Sequence, residues 1–249
     1  MTREMNMICA IHQPQFMPWL GYLDKIARCD KFVFLDNVQF KKNEFQNRNR
    51  ILVAGQTHWM TVPVEFRFGD TLAEVAVCAD PKWRVKLTRT VEQQYRKAPH
   101  FDAHMPGFAD LIAQPWPNLA ALNIASVRWL LQAFGMQADL CCSSDFEGLS
   151  ADPTRRLVDL CLRVGADAYL SGSGGRKYLN ERLFAESGLA LHYQDFAHPV
   201  YPQGNRGGEF VSHLSALDAL FHVGGGAEGR RAAGLEPAAA NAGEDPVTG

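Results

Sequence analysis

The stretch His12-Gln13-Pro14-Gln15-Phe16-Met17-Pro18-Trp19-Leu20-Gly21-Tyr22 decides the fold. Residues 7–11 before it form an apolar run that is typical of a strand buried on both faces. The two prolines end that strand, and Pro18 suits the first position of a helix, where its missing N–H is not needed. Apolar residues at helical spacing predict a helix over 19–28, and the apolar run at 31–35 predicts a second buried strand. This part of the chain therefore predicts a strand, helix and strand unit.

Polar side chains stand where both of these strands stop. His12 and Gln13 follow the first strand, and Asp36 follows the second. In open parallel sheets, ligands bind beyond the carboxyl ends of the strands, so these three side chains are expected to converge on a site. The alternative is structural, with His12 capping a strand end and Asp36 turning a loop.

The composition and the lack of a targeting or spanning segment indicate a cytoplasmic protein that binds neither nucleic acid nor a membrane surface. The chain has 249 residues, of which 47% are hydrophobic, and its formal net charge is −2. Such a balance suggests neither general affinity for nucleic acid nor attraction to a membrane surface. The sequence near residue 1 lacks a basic region followed by an apolar core, and no apolar run approaches the roughly 20 residues that span a bilayer. The oligomeric state is left open.

The cysteines and histidines give no sign of a metal or cofactor site. None of the six cysteines forms a Cys-x-x-Cys pair, so they are interpreted as core thiols, with a nucleophilic cysteine as the minor alternative. His12, Asp36 and His198 are able in principle to ligate one ion, but no local ligand spacing supports this. No metal and no cofactor are therefore expected.

The segment after Asp36 predicts additions to the α/β unit. Residues 37–50 are rich in amides and cations, which indicates either a solvated surface loop or a binding loop that includes Asn47 and Arg48. A β-hairpin insertion is predicted at about 51–78, in which residues 72–78 add a further strand. A helical segment is predicted at about 81–135, with Asn118 capping its longest helix. The expectation is one α/β domain over 1–224, with a mostly parallel, Rossmann-like sheet and flanking helices. A disordered tail is expected over 225–249, which lacks large apolar residues.

A second group of polar and small residues follows a later strand. Residues 168–170 predict a strand, Ser171-Gly172-Ser173-Gly174-Gly175 a tight turn, 176–187 a helix with Tyr178 in its first turn, and 189–193 another strand. A small-residue turn before a helix offers free backbone N–H groups to an anion or a developing oxyanion. The turn is neither a complete dinucleotide fingerprint nor a Walker loop, so a tight turn without a ligand is the alternative.

Six motifs follow one another along the chain: Ile11-His12-Gln13-Pro14, Pro18-Trp19-Leu20-Gly21-Tyr22, Leu35-Asp36-Asn37-Val38-Gln39-Phe40, Asn47-Arg48-Asn49, Leu170 to Gly175 with Tyr178, and His198-Pro199-Val200-Tyr201. Together they resemble the WbqC-like protein family over about residues 7–224. The resemblance implies a setting in O-antigen, other surface-polysaccharide or natural-product biosynthesis.

The two groups together predict a transferase that forms an amide or ester on an amino sugar or similar metabolite. Its donor is an activated acyl or aminoacyl group, bound to a carrier or to CoA. In this hypothesis His12 or His198 is the general base, Asp36 orients the imidazole, and the turn at 171–175 receives negative charge. The predicted substrate-binding residues are Gln13, Trp19, Tyr22, Lys25, Gln39, Asn47, Arg48, Ser171, Gly172, Ser173, Gly174, Gly175, Tyr178, Tyr201 and Gln203.

Two other functions fit the same residues. The strand, the histidine turn and the helix start are similar to the layout of His-x-Gly-His nucleotidylyltransferases, although Trp19 and Tyr22 occupy the two motif histidine positions. The other alternative is a non-catalytic module that binds a sugar or nucleotide, because folds of this kind host many functions. Either ligand is a small molecule, an amino sugar or a sugar nucleotide.

Overall fold

The computed structural model describes residues 7–204 and 208–236. Predictions that fall on residues 1–6, 205–207 and 237–249 lie outside the described residues. The strands are β1 (Ile8–His12), β2 (Lys31–Phe34), β3 (Arg48–Val53), β4 (Gln56–Thr61), β5 (Val64–Glu65), β6 (Ala76–Val77), β7 (Asp139–Cys142), β8 (Ala168–Ser171) and β9 (Ala190–Tyr193). The helices are α1 (Leu20–Ala27), α2 (Lys82–Tyr95), α3 (Phe101–Ala113), α4 (Leu119–Ala133), α5 (Pro153–Arg163), α6 (Glu181–Glu186), α7 (Ala216–Val223) and α8 (Gly226–Ala232).

Five parallel strands form the central sheet in the order β7-β2-β1-β8-β9. The strand β1 is central and pairs with β2 on one side and with β8 on the other, where Cys9 lies opposite Tyr169. The predicted α/β class with a mostly parallel sheet and flanking helices is therefore confirmed. So is the first strand, helix and strand unit, within one or two residues at each boundary.

Helices bury both faces of the sheet, because successive side chains of a strand point to opposite sides. On one face, Cys9 and Val33 belong to a cluster with Leu157 and Cys161 of α5. On the other face, Ala10, Phe32 and Phe34 share a larger cluster that includes residues of α1, α4 and α7. Burial on both faces explains why these strands read as apolar runs in the sequence.

The hairpin and the helical segment lie where the sequence predicts them. Strands β3 and β4 pair antiparallel around Ala54-Gly55, whose φ angles of 49° and 80° are those of a type I′ hairpin turn. The Asn118 side chain accepts a hydrogen bond from the Ala121 N–H at 2.8 Å and so caps α4 as predicted. Within the described residues, no helix is both long and apolar enough to cross a bilayer.

Buried amide side chains hold the proline segment that follows β1. The Nδ2 of Asn123 donates to the carbonyls of Pro14 at 3.0 Å and Gln46 at 2.7 Å. The Nδ2 of Asn49 donates to the Met17 carbonyl at 2.7 Å, and Met17 itself has a φ of 43°. A non-glycine residue in this region costs energy, so the backbone from 14 to 18 is fixed by its surroundings.

Three local predictions are wrong. The strand predicted over 72–78 is reduced to Ala76–Val77. The helix predicted over 176–187 is instead a 3-10 helix at Ser173–Lys177 followed by α6, because Asn180 caps a new helix start. Part of the predicted disordered tail is α8, and Ala233 and Leu235 after it are fully buried. The division into one domain stays a prediction.

We predict that Asn123→Ala lowers the free energy of unfolding by about 2–4 kcal/mol, since it removes two buried hydrogen bonds and leaves two carbonyls unsatisfied. Urea denaturation measures the change. Gln132→Ala, at an exposed position of the same helix, is the control and is expected to stay within about 0.5 kcal/mol of the unmodified protein. Equal stability of the two variants would contradict the role given to Asn123.

Candidate active site at the strand ends

The ends of β1 and β8 meet at the point where the chain changes direction across the sheet. From β1 the chain continues to β2 on one side, whereas from β8 it continues to β9 on the other. Crevices at such switch points are the usual ligand sites of open α/β sheets. Here a cavity of about 680 Å³ is lined by His12 and Ser171 from the two strand ends. It is called the larger cavity below, in contrast to a smaller cavity that shares part of its lining.

Most of the predicted substrate-binding residues line the larger cavity. Two cations that the sequence analysis did not select, Lys41 and Arg156, also face it. Together with Lys25 they give three cationic side chains, and no carboxylate is among the described lining residues. This charge pattern favours an anionic ligand. The predicted residues in the lining are His12, Gln13, Lys25, Gln39, Ser171, Gly172, Gly174, Gly175 and Tyr178.

The imidazole of His12 has one nitrogen bound and one available. Its Nδ1 lies 3.0 Å from the Gln13 carbonyl, which accepts a hydrogen bond, so Nδ1 carries the proton and Nε2 is left as an acceptor. The same carbonyl accepts the Tyr22 hydroxyl at 3.1 Å, and the Tyr22 ring packs edge-on against the imidazole with centroids 4.9 Å apart. Burial, and then the charge of Lys25, lower the pKa of His12 to about 3. The ring is therefore neutral at physiological pH.

Lys25 is a buried lysine without a counter-charge. It lies on α1, is 4% exposed, and makes no ion pair or hydrogen bond through its ammonium group with any residue that the structure describes. A Cβ placed on Gly172 would be 3.6 Å from its Nζ, so the group sits against the turn after β8. Burial lowers the pKa of Lys25 to about 8. An anion in the cavity would supply the missing partner.

The turn at 171–175 brings backbone close to the cavity. The N–H of Gly175 donates to the Gly172 carbonyl at 2.9 Å, and the Ser171 hydroxyl donates to the same carbonyl at 3.1 Å. A Cβ on Gly175 would lie 2.1 Å from the Ser171 Oγ, so a larger residue does not fit there. Glycine is required at this position by close approach rather than by an unusual φ.

A smaller cavity of about 360 Å³ adjoins the larger one at His12 and Lys25. It shares His12, Lys25, Gly172 and Gly174 with the larger cavity. The two cavities therefore have a common wall at the residues that carry the chemistry. The other residues lining the smaller cavity are Trp19, Gly21, Tyr22, Ser173, Gln194, Asp195, Phe196 and His213.

Asp36 does not orient His12, contrary to the sequence hypothesis. Its carboxylate accepts hydrogen bonds from the Ser143 hydroxyl at 2.9 Å, the Ser144 N–H at 3.0 Å and the Ser144 hydroxyl at 2.7 Å. These bonds tie the end of β2 to the end of β7. These contacts agree with the alternative interpretation, in which Asp36 shapes a loop.

His198 does not line either cavity, and its assignment as a general base is not supported by its surroundings. Its ring lies in an aromatic cluster between Trp19, Tyr201 and Phe210. Its Nδ1 is 2.8 Å from the Pro199 carbonyl, and burial lowers its pKa. His12, Asp36 and His198 do not form a metal site, and the described residues contain no group of three metal-ligating side chains.

Four predicted binding residues lie away from the two cavities. Asn47 donates to the Val62 carbonyl at 3.0 Å, and the Arg48 guanidinium lies over the Trp59 ring at 4.1 Å. Tyr201 and Gln203 donate to the buried Asp218 carboxylate and line a separate cavity of about 700 Å³. All four make contacts within the protein, and the Asn47 Oδ1 and the Arg48 Nε have no hydrogen-bond partner among the described residues.

The cavities are also lined by residues that the sequence patterns do not predict: Lys41 and Arg156 in the larger cavity, and Asp195 and His213 in the smaller one. Arg156 could have been predicted, because a helix that follows a parallel strand begins near the carboxyl ends of the strands, where the cavity lies. Arg156 lies in the first turn of α5 after β7, and its Nε donates to the Ser150 carbonyl at 2.9 Å. The other three lie in loops whose position depends on tertiary contacts, so the sequence pattern gave no signal for them.

Comparison with known proteins places the motifs in a family context. The model of the WbqC-like protein family matches residues 13–228, which include the prolines after β1, the turn after β8 and the loop before α7. The uncharacterized protein Rv1507c of Mycobacterium tuberculosis is 33% identical over 219 residues, covering 86% of this chain and 93% of the relative. No solved structure matches. The family resemblance seen in the sequence is thereby confirmed.

We predict that Lys25→Met raises the pKa of His12 above its value of about 3, because the nearby positive charge is removed while burial still holds the pKa below 6.5. NMR titration of the imidazole resonances measures both proteins. Lys86→Met, which changes an exposed lysine on α2, is the control and leaves the titration unchanged. A His12 that titrates near 6.5 in the unmodified protein would contradict this description of the site.

Proposed function

The chain belongs to the WbqC-like protein family, and from that premise and the two cavities at the strand ends we propose that it is a transferase. It joins an activated acyl or aminoacyl group to the amine or hydroxyl of a small metabolite such as an amino sugar. The reaction belongs to surface-polysaccharide or natural-product biosynthesis. The donor is activated by an anionic leaving group, such as a phosphate ester or a CoA thioester.

The observation that carries the proposal is the charge of the larger cavity. Lys25, Lys41 and Arg156 line it without a described carboxylate beside them. Cations grouped in this way bind phosphates and carboxylates, and a cation removed from water binds them more strongly than an exposed one. Its volume of about 680 Å³ lies within the range of small-molecule sites. The anionic part of the donor is therefore assigned to this cavity.

The common wall of the two cavities is where bond exchange is proposed to occur. The acceptor nitrogen or oxygen attacks the carbonyl carbon of the donor, so a C–N or C–O bond forms and the bond to the leaving oxygen or sulfur breaks. The acceptor proton passes to the Nε2 of His12 and from there to the departing group. Lys25 stabilises the negative charge that develops on the carbonyl oxygen.

The low pKa of His12 suits a group that accepts a proton and passes it on at once, rather than one that keeps the proton. A pKa near 3 keeps Nε2 unprotonated and ready to accept a hydrogen bond from the acceptor, and a proton taken up there is released at once to a more basic leaving group. The weakness of the base is offset by an activated donor, which needs little help to react. Both features fit acyl transfer from an ester or thioester.

A non-catalytic binding module is the second candidate, and the same pKa favours it. General bases work best when their pKa lies near the operating pH, and His12 is far below it. Such a module binds its ligand tightly and releases it unchanged.

The nucleotidylyltransferase alternative requires that the protein bind ATP with magnesium. Calorimetry with ATP and magnesium measures this binding.

We predict that purified protein, incubated with acyl-CoA or aminoacyl-adenylate donors and amino sugars or sugar nucleotides, forms an amide or ester that mass spectrometry detects. Lys25→Met is expected to lower kcat/KM by about 10- to 150-fold, the loss of a hydrogen bond to a charged group. Lys86→Met is the matched control and keeps full activity. Turnover that is unchanged in Lys25→Met would refute the role of this lysine, and ligand binding without any product would favour the binding module.

We predict that the affinity for inorganic sulfate falls as the pH rises through about 8, since Lys25 loses its positive charge as the pH passes its pKa. Sulfate keeps its own charge over this range, so isothermal titration calorimetry reports only the protein. Lys25→Met is expected to bind sulfate weakly at every pH, and Arg156→Gln is expected to bind weakly while retaining the pH dependence. A pH-independent affinity of the unmodified protein would contradict the assignment of Lys25 as an anion ligand.

A further inference from the structure

We propose that the smaller cavity is the acceptor subsite and that it binds a small molecule carrying an ammonium group next to a ring or C–H-rich face. The inference rests on the proposed transfer, because it assigns the second substrate of that reaction to a place. The cavity has a volume of about 360 Å³ and shares His12 and Lys25 with the larger cavity. A molecule bound here has its reactive group against the same wall as the donor carbonyl.

The charges of the two cavities separate the two substrates. The larger cavity is lined by Lys25, Lys41 and Arg156 and by no described carboxylate, whereas the smaller one is lined by Lys25 and by the exposed Asp195. The Asp195 carboxylate makes no ion pair or hydrogen bond with the described residues, so its charge is available to a ligand. Because Lys25 faces both cavities, the difference between them comes from Asp195 in one and from Lys41 and Arg156 in the other, and an ammonium group is favoured next to Asp195.

The walls of the smaller cavity provide an aromatic surface. The Trp19 indole stacks on the His213 imidazole with centroids 4.9 Å apart and an interplanar angle of 26°, and Phe196 packs edge-on against it at 5.4 Å. A Cβ on Gly21 would lie 2.2 Å from the indole, so the glycine makes room for this ring position. Aromatic faces bind cations and the C–H faces of rings.

The backbone holds Asp195 and His213 in place. The N–H of Gln194 donates to the Ser171 carbonyl at 2.8 Å, and its side-chain Nε2 donates to the Gly21 carbonyl at 2.8 Å and to Asp24 at 2.6 Å. These bonds fix the segment that carries Asp195 to both the end of β8 and the start of α1. His213 has a φ of 59°, a strained position for a residue other than glycine.

The position of Lys25 also helps an amine to react. An acceptor amine bound between Asp195 and Lys25 has a positive charge facing its reactive side, and that charge favours the neutral, nucleophilic form of the amine. The bound ammonium loses one proton to solvent before it attacks, and the second proton passes after the attack through the Nε2 of His12 to the leaving group. Asp195 is therefore a specificity residue, which selects the acceptor without taking part in the bond exchange.

The test compares two probes that differ by one amino group, D-glucosamine and D-glucose, with binding measured by saturation-transfer NMR and calorimetry at pH 6.5. The unmodified protein is expected to bind glucosamine about tenfold more tightly than glucose. Asp195→Asn is expected to remove this preference, and His213→Ala to weaken both sugars. Asp110→Asn, at an exposed carboxylate of α3, is the matched control and keeps the preference.

A second measurement separates this inference from the proposed function. Inorganic pyrophosphate, the probe for the larger cavity, is expected to bind together with glucosamine rather than to displace it. Displacement, an Asp195→Asn variant that binds both sugars as the unmodified protein does, or no sugar binding at all would overturn the acceptor subsite. If glucosamine binds through Asp195 but no donor ever yields a product, the ammonium-binding site stands as a ligand site, and its role as an acceptor subsite fails together with the transferase proposal.

Discussion

The parallel pairing of β1 with β8 is the constraint on which the rest of the structure depends. It joins segments about 160 residues apart, and the Met7 N–H donates to the Asp167 carboxylate at 2.8 Å at the start of the pair. Loop-closure entropy grows by only about 0.6 kcal/mol for each doubling of the loop, so this distance along the chain is affordable. Burial of Cys9, Ala10 and Tyr169 stabilises the pairing. Without it, neither cavity would have its second wall.

The helix α1 places two buried charges side by side and treats them differently. Asp24 accepts hydrogen bonds from Arg28 at 2.8 Å and Gln194 at 2.6 Å, whereas the ammonium of Lys25 has no described partner. A buried ion without a partner is costly, and the lowered pKa of Lys25 expresses that cost. A bound anion would relieve it. Burying Lys25 without a partner lowers the stability of the free protein, and this loss is recovered as binding free energy when the donor binds.

The sequence was sufficient for features that depend on local patterns. The strand ends at His12 and Ser171 and the helix cap at Asn118 follow from neighbouring residues, and the structure contains them. The sequence was insufficient to predict the contacts of a side chain that binds residues distant along the chain. Asp36 is bound by serines about 107 residues away, and the turn at 171–175 leads into a 3-10 helix because a later asparagine starts α6. The lining residues in loops have no local pattern at all.

Polar residues at strand ends therefore divide into structural and chemical groups by the number of partners that they have. Asp36 is satisfied by three donors, so it contributes to the fold. His12 has one nitrogen bound and one open, and the ammonium of Lys25 is unbound among the described residues. Buried polar groups are nearly always paired in proteins, so those left unpaired against a cavity are the ones that await a ligand. By this criterion the chemistry lies at the wall that the two cavities share.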